Sequence, residues 1–493
     1  MVHRPTRARR LLATVAVGGV VAACLIGAAG AAQAQSPALA APAATGTDKL
    51  NDVYYTLQHN TFDYGSTLTG WLDQGLRSVE LDIIDKDAWE NDTEGPYVSH
   101  DGSSANKNCS ANPDRLGNCL RDLAAWQTSH PGTGPLIVFV DLKASWDPLN
   151  AWKADEVDLL DAKVRSILGS RMYTAAELYT WATGHAWTPT GTTLRQAVNT
   201  AGWPTLSALN DRIVVAYTGG RIGFANQTQS DGIAHILAAS RLPSGFFCPD
   251  VEADPSELDP GATVDGMTTA TSQVAVCSNL KSQDNYQVTA NRSATRKQLL
   301  HLWGDHVFGA DSAAYNMLAV AHGASAIGRE SDAVDTFGGL VPPVGKRRSL
   351  PGYFQLRPDS APGNCLTIDG AGTSNGTAAK IAACSSSTAQ RFVWTAEGQL
   401  RPQHDNPGCL DISGGTAGAG KKIHLWDCDG GDSEKWTIDA TGVVRAFTSQ
   451  SWCLTIAGGG SSIGTQFTTA TCTGAAGQKF TLTPVATWAQ TTF

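Results

Sequence analysis

Residues 78–84 read Ser78-Val79-Glu80-Leu81-Asp82-Ile83-Ile84, and residues 136–143 read Leu136-Ile137-Val138-Phe139-Val140-Asp141-Leu142-Lys143. Each is a short, nearly unbroken apolar run rich in β-branched residues, the pattern of a strand covered on both faces. Val53–Leu57, Arg212–Thr218 and Ala324–Glu330 have the same texture. Helical patterns lie between them at 119–129, 153–168 and 231–240; in the second, Val157, Leu160, Val164 and Leu168 recur at helical spacing. Strands alternating with helices over 49–340 imply a mainly parallel sheet or barrel.

The same two runs carry charge where burial is expected. Glu80 and Asp82 are two apart, so on a strand they share one face. Two buried carboxylates side by side are costly unless a cation meets them. Asn60, Glu80, Asp82 and Asp141 form an all-oxygen set that suits Ca²⁺, suits Mg²⁺ less well and does not suit Zn²⁺. Salt bridging by Arg77 or Lys143 is the alternative. His59, in Leu57-Gln58-His59-Asn60-Thr61, and His100, in Val98-Ser99-His100-Asp101-Gly102, flank the carboxylate strand. Two histidines around such a cluster fit a general base and a general acid for phosphoryl transfer. His301, Asp305 and His306 also crowd together; a helix would put His301 and Asp305 on one face, with surface exposure or capping as the default.

Past residue 340 the texture changes. Residues 341–352, with the basic run Lys346-Arg347-Arg348, read as a solvated interdomain linker. From 353 to 486 a repeat takes over. Cys365-Leu-Thr-Ile-Asp-Gly pairs with Cys384, Cys409-Leu-Asp-Ile-Ser-Gly with Cys428, and Cys453-Leu-Thr-Ile-Ala-Gly with Cys472. Each second cysteine is followed by Gln/Glu-x-aromatic: Gln390-Arg391-Phe392, Glu434-Lys435-Trp436 and Gln478-Lys479-Phe480. Three equal units must share one core, since none buries its face alone. This repeat resembles the ricin-B-type lectin module, an all-β trefoil. The resemblance implies sugar pockets built on an Asp two residues after the first Cys and an aromatic two before the second. The middle unit keeps both, as Asp411 and Trp426; the others have Thr367 with Ala382 and Thr455 with Ala470. One carbohydrate pocket is therefore expected.

His-Asn-Thr, then Val-Glu-Leu-Asp, then Ser-His-Asp-Gly, then an apolar strand ending in an acid, resembles the catalytic half of phosphoinositide-specific phospholipase C. The similarity is greatest to the calcium-dependent bacterial branch; it rests on residues 53–143 and extends less firmly to about 330. It implies a distorted TIM-type barrel, so the expected fold class is α/β with such a barrel followed by the trefoil. It also implies His59 and His100 as catalytic histidines, Asn60, Glu80 and Asp82 as calcium ligands, and Asp141 at a ligand position that is Glu in eukaryotic members. Glu80 is a candidate base as well as a ligand. Lys143 is a candidate for the substrate phosphate or, equally, an ion-pair partner. The implied reaction is attack of the inositol 2-hydroxyl on the lipid phosphate, releasing diacylglycerol and a cyclic inositol phosphate.

Arg4, Arg7, Arg9 and Arg10 precede an Ala/Val/Leu/Gly run that ends at Ala32-Gln33-Ala34, the pattern of a secretory signal peptide over 1–34. Residues 35–48 read as a flexible leader. Val21-Ala22-Ala23-Cys24 resembles a lipobox, which ranks lower because the apolar run continues beyond it. Without Cys24, ten of the eleven cysteines remain, an even number that suggests five disulfides in a secreted chain. Cys109 with Cys119 and Cys248 with Cys277 are the guessed pairs outside the repeat. A net charge of −9 argues against nucleic acid as a partner, and no apolar run past the N-terminus is long enough for a transmembrane segment. Expected partners are an inositol phospholipid at a membrane or micelle surface and a glycan at the trefoil, with the protein a monomer. Trp89 and Trp146 are candidates for interfacial contact. The competing readings are a glycerophosphodiester phosphodiesterase, which normally begins His-Arg-Gly where this chain has His59-Asn60-Thr61, and a secreted lectin with an inactive barrel.

Overall fold

The structure, a computed structural model, describes residues 44–63, 67–86, 88–100, 108–110, 115–143, 152–219, 228–251, 254–281, 286–303, 319, 322–329, 344–347, 353–395, 398–438 and 442–486. The signal-peptide reading and most of the leader fall outside these residues, as do Trp146, Asp305, His306, Glu330 and Arg348. Among the described residues no helix is long and apolar enough to cross a membrane.

The first part alternates strand and helix. Its elements are β1 (Val53–Gln58), α1 (Leu68–Asp73), β2 (Ser78–Ile84), β3 (Tyr97–Val98), α2 (Leu116–Ser129), β4 (Leu136–Lys143), α3 (Ala154–Leu168), α4 (Ala175–Thr183) and α5 (Leu194–Ala201). They continue with β5 (Ile213–Gly219), α6 (Thr228–Ala238), β6 (Phe246–Phe247), α7 (Thr269–Ser272), β7 (Cys277–Lys281), α8 (Tyr286–Thr295), β8 (Leu299–Trp303), β9 (Ala326–Arg329) and β10 (Val344–Lys346). Two five-stranded sheets result, ordered β3-β2-β4-β5-β6 and β10-β1-β9-β8-β7. All pairings are parallel except those of β3 and β10. The apolar runs are buried on both faces because helices cover them. α2 turns Leu116, Leu120, Leu123 and Trp126 inward, and α3 turns Val157, Leu160, Val164 and Leu168 inward.

The two sheets meet at a covalent seam. Cys248, just after β6, bonds Cys277, the first residue of β7. Asp250 and Asn279 form an isolated parallel bridge at the same place. Closing this 29-residue loop stabilises the fold by roughly 3–4 kcal/mol on the chain-entropy model. On the opposite side, β1 runs into β2 through side chains, as described below.

Two expectations are corrected here. The segment read as a solvated linker contains β10, which pairs antiparallel with β1 (Val53 with Lys346, Tyr55 with Val344). Its basic residues are used: Lys346 lies 3.2 Å from Asp48, and buried Arg347 donates to the Gln298 carbonyl. His301 lies on strand β8 and is 1 % exposed, so it is neither a helical nor a surface residue. The apolar pattern of Leu299–Trp303 overrides the helical spacing of His301 and Asp305.

Among the described residues of 353–486 the regular elements are strands and short 3₁₀ turns, with no α-helix. Three hairpins repeat in the same register: Cys365 opposite Ala382, Cys409 opposite Trp426, and Cys453 opposite Ala470. All three carry the expected disulfide, as does Cys109–Cys119 in the first part. Equivalent apolar residues make the common core: Leu366, Leu410 and Leu454 in one layer, Ile368, Ile412 and Ile456 in the next. The Gln/Glu-x-aromatic signature now has a cause. Gln390 accepts from the Ser385 N–H and donates to the Ala383 carbonyl; Gln478 does the same with Thr473 and Thr471. Glu434 accepts from the Asp429 and Gly430 N–H groups and from Gln399. Each clasps the turn after its disulfide, while the aromatic two residues on enters the core.

Arg195 on α5 is 1 % exposed, and its guanidinium donates to the carbonyls of Ala275, Glu257 and Ala262. Arg195→Met would strand those buried acceptors, each costing about 1–3 kcal/mol. The expected outcome is a loss of about 3 kcal/mol or more, read as a lower urea midpoint at unchanged slope.

Candidate functional site

The site grows from strand register. Parallel pairing of β2 and β4 sets Asp82 beside Asp141 and Glu80 beside Phe139; β4 with β5 sets Asp141 beside Thr218. The charged positions therefore fall in one row near the C-terminal ends of the strands. At the end of β1, Asn60 takes φ +53°, a left-handed conformation that Asn tolerates better than most residues. That turn aims its N–H at Glu80, which accepts at Oε2 over 3.2 Å. Thr61 adds a second tie: its hydroxyl accepts from the Glu80 N–H at 2.9 Å and donates to the Gln58 carbonyl. β1 is thereby fixed against β2, with His59 at the junction.

Glu80, Asp82 and Asp141 are all buried, and Asp82 is 0 % exposed. Burial, reinforced by Asp141 and Glu80, pushes the Asp82 carboxyl well above the usual range, although Lys143 opposes it. Burial also raises Glu80, against the pull of His59 and Lys143. Asp141 is buried too, yet the Lys143 charge and its hydrogen bond, with a 2.8 Å hydrogen bond from Thr218, hold it below the usual value. Burial tends to lower Lys143, but Asp141, Asp82 and Glu80 outweigh it and drive its pKa up. The Lys143 ammonium stands between two partners, 2.8 Å from Asp141 and 3.1 Å from Asp82. Gly219 faces this group; a Cβ there would lie 2.5 Å from an Asp141 oxygen, so the close approach requires glycine.

Of the two salt-bridging alternatives, the Lys143 pairing is therefore made. Arg77 instead donates to the carbonyls of Leu72, Leu76 and Thr133 and lies over the Trp126 ring. The histidines flank the acids: His59 Nε2 is 3.9 Å from Glu80, and His100 Nε2 is 4.0 Å from Asp82. His100 is 57 % exposed, whereas His59 is largely covered and stacks on Trp303 at 6.2 Å. Trp89, a candidate for interfacial contact, is instead fully buried, with its indole N–H donating to Asp85.

The donor set fits a hard divalent cation. Asn60 Oδ1 and Asp82 Oδ1 are buried oxygens without a hydrogen-bond partner among the described residues. Were all three acids ionised and the histidines neutral, three carboxylates against one ammonium would leave two negative charges for a cation to offset. Among the described residues the three acids do not bring one oxygen each to within 4.8 Å of one another, and the Lys143 ammonium contacts two of them. The other acid–cysteine cluster, Cys409, Cys428 and Glu434, has both sulfurs in a disulfide and is not a metal site.

In the repeat, only the middle hairpin presents an acid and an indole. Asp411 lies opposite His424, whose Nε2 is 2.9 Å from Asp411 Oδ2. The His424 and Trp426 rings stack at 5.3 Å, and Trp426 is 42 % exposed. His424 was not singled out by the sequence; its place opposite Asp411 comes from the hairpin register.

Residues 103–222 match the model for phosphoinositide phospholipase C, Ca²⁺-dependent, and residues 352–480 match that for the ricin-type beta-trefoil lectin domain. The first match contains Asp141 and Lys143; His59, Asn60, Glu80, Asp82 and His100 precede it. Among solved structures, a calcium-dependent phosphoinositol-specific phospholipase C from Pseudomonas sp. is 18 % identical, with 61 % of this chain and 96 % of that chain covered and a TM-score of 0.48. A Ca²⁺-dependent phosphatidylinositol-specific phospholipase C from Streptomyces antibioticus is 19 % identical over 61 % of this chain and 99 % of that one, TM-score 0.46. The designed three-fold symmetric protein ThreeFoil is 22 % identical over 27 % of this chain and 99 % of its own, TM-score 0.26. No curated protein matches the chain.

The raised Asp82 carboxyl has a measurable sign. Above its ordinary value of 3.8 the unfolded chain releases this proton while the folded chain holds it, so the folded state loses stability as the pH rises. Asp82→Asn should therefore raise the melting temperature of calcium-free protein at pH 7, and the gain should vanish at pH 4, as followed by thermal unfolding at the two pH values.

Two separate segments of the chain thus match family models, one for Ca²⁺-dependent phosphoinositide phospholipase C and one for the ricin-type beta-trefoil lectin domain.

Proposed function

We propose that the protein is a secreted, calcium-dependent phosphatidylinositol-specific phospholipase C, a phosphoric diester hydrolase, with a trefoil that binds carbohydrate. The observation that carries this reading is the gathering of His59, Glu80, Asp82, His100, Asp141 and Lys143 at one end of parallel strands. The eight parallel strands β1, β2, β4, β5, β6, β7, β8 and β9 are read as a distorted TIM-type barrel, in which active sites collect at the C-terminal strand ends. The seam at Cys248–Cys277 and the ties between Asn60, Thr61 and Glu80 support closure on both sides. Domain limits follow as a barrel over 49–340 continued by β10, and a trefoil over 353–486. Five disulfides fit an extracellular location.

Asn60, Glu80, Asp82 and Asp141 would hold Ca²⁺. Bound there, the ion supplies neutralisation of phosphate charge and a lower pKa for the attacking hydroxyl. His59, backed by Glu80, takes the proton of the inositol 2-hydroxyl as its oxygen bonds to phosphorus. The phosphorus–glycerol oxygen bond breaks, and exposed His100 gives that oxygen its proton. The products are diacylglycerol and a cyclic inositol phosphate. Lys143, beside Asp82 and Asp141, would meet a phosphate oxygen.

Phosphorus NMR of phosphatidylinositol micelles tests this directly. Cyclic inositol phosphate should form with calcium and not with excess chelator. His59→Ala and His100→Ala should each lower kcat by about 10²–10⁴-fold with the melting temperature unchanged. Cleavage of glycerophosphodiesters in place of phosphatidylinositol would replace this reading with a glycerophosphodiesterase. In the trefoil, Trp426→Ala removes the flat face on which a sugar ring stacks. Glycan-array binding should disappear in that variant while hydrolysis of dispersed micelles persists.

A further inference from the structure

His301 stands beneath the acidic row. Its ring stacks on Phe139 at 4.1 Å and 15°, and Phe139 is the register neighbour of Glu80. A hydrogen-bond chain fixes its tautomer. Asn279 donates through Nδ2 to Asp250 at 2.7 Å, so Asn279 Oδ1 is the end that faces His301 Nδ1 at 3.0 Å. An amide oxygen only accepts, so Nδ1 carries the proton and Nε2 is a bare acceptor. Nε2 is buried and has no hydrogen-bond partner among the described residues.

The direction of Nε2 is set by β9. His301 lies opposite Ala326, and Nε2 stands 3.8 Å from where a Cβ of Gly328 would be, two residues toward the C-terminal end. It therefore points toward the end of the strands where His59, Asp141 and Lys143 sit, and the glycine leaves room beside it. Burial, with the charges of His59 and Lys143, drives the His301 pKa down to about 3, which keeps the ring neutral. A buried acceptor with no donor is costly when empty and selective when filled, because a ligand lacking the matching donor leaves it unpaired.

We infer that His301 is a substrate-binding residue: Nε2 accepts a hydrogen bond from a ring hydroxyl of the polyol headgroup, and Asn279 and Asp250 hold its tautomer. This rests on the proposed reaction at the same site. A water molecule offers the same donor chemistry, and the test separates the two.

Two measurements decide it. In ¹⁵N NMR of the full chain, the His301 Nε2 resonance should move when myo-inositol is added; a resonance that stays put overturns the inference. In kinetics, native enzyme should lose roughly tenfold in kcat/KM when one particular ring hydroxyl is replaced by hydrogen, mainly through KM. His301→Phe, which keeps the stack on Phe139, should show no further loss for that deoxy substrate, and His301→Gln, which offers an amide oxygen, should restore part of it. An unchanged penalty for every deoxy substrate in the Phe variant means a water or a structural role, and overturns the inference. If native protein cleaves no phosphatidylinositol, the proposed reaction falls, and the nitrogen shift with myo-inositol still decides the role of His301.

Discussion

A carboxylate taken out of water must be met by positive charge or give up its own. Asp82 is the extreme case, fully enclosed on a strand that also carries Glu80 and faces Asp141. Lys143 answers two of the three acids and in doing so becomes the hub of the site. The fold arranges the rest around that constraint: Thr218 braces Asp141, the left-handed turn at Asn60 braces Glu80, and a glycine at 219 admits the Asp141 carboxylate. Such a cluster costs folding stability, and a binding site for a divalent ion is one way to recover it.

Much of this was legible in the sequence because the charged residues interrupt otherwise apolar strands. β1, β2, β4 and β5 stand out for their length, and their register follows from parallel pairing. The ends of α2 and α3 were read to within three residues. The short strands β6, β7 and β8 were not legible: two to five residues with polar members carry no clear period. His301 was misjudged for this reason, since Leu299–Trp303 precedes a polar run that mimics a helix face. The basic run at 346–348 misled in another way. Charge predicts solvent, yet Arg347 is buried, with its guanidinium donating twice to the Gln298 carbonyl. Trp89 followed the same logic in reverse, an aromatic in a polar stretch that packs inward.

The repeat half was more transparent, since three copies check one another. Cysteine spacing, hairpin register and the Gln/Glu clasp agree in every unit. The units diverge two residues after the first cysteine and two before the second, where one keeps Asp411 and Trp426 and the others carry Thr and Ala. A shared core tolerates that divergence because the hairpin faces contribute little to it. Binding chemistry and folding chemistry are thus separable in the trefoil, whereas in the first part the proposed ion ligands are the same buried acids that burden the fold.

The strand β10 has a practical meaning for how the two halves can be divided. It covers the outer edge of β1, the strand that leads into His59 and Asn60. Cutting the chain at residue 340, where composition alone would place the border, would leave that edge with unpaired N–H and C=O groups. A bare, apolar edge is a template for pairing with a neighbour. A catalytic half cut there would be prone to stick edge to edge with its own copies, whereas one that keeps residues through Arg347 retains the strand that guards it.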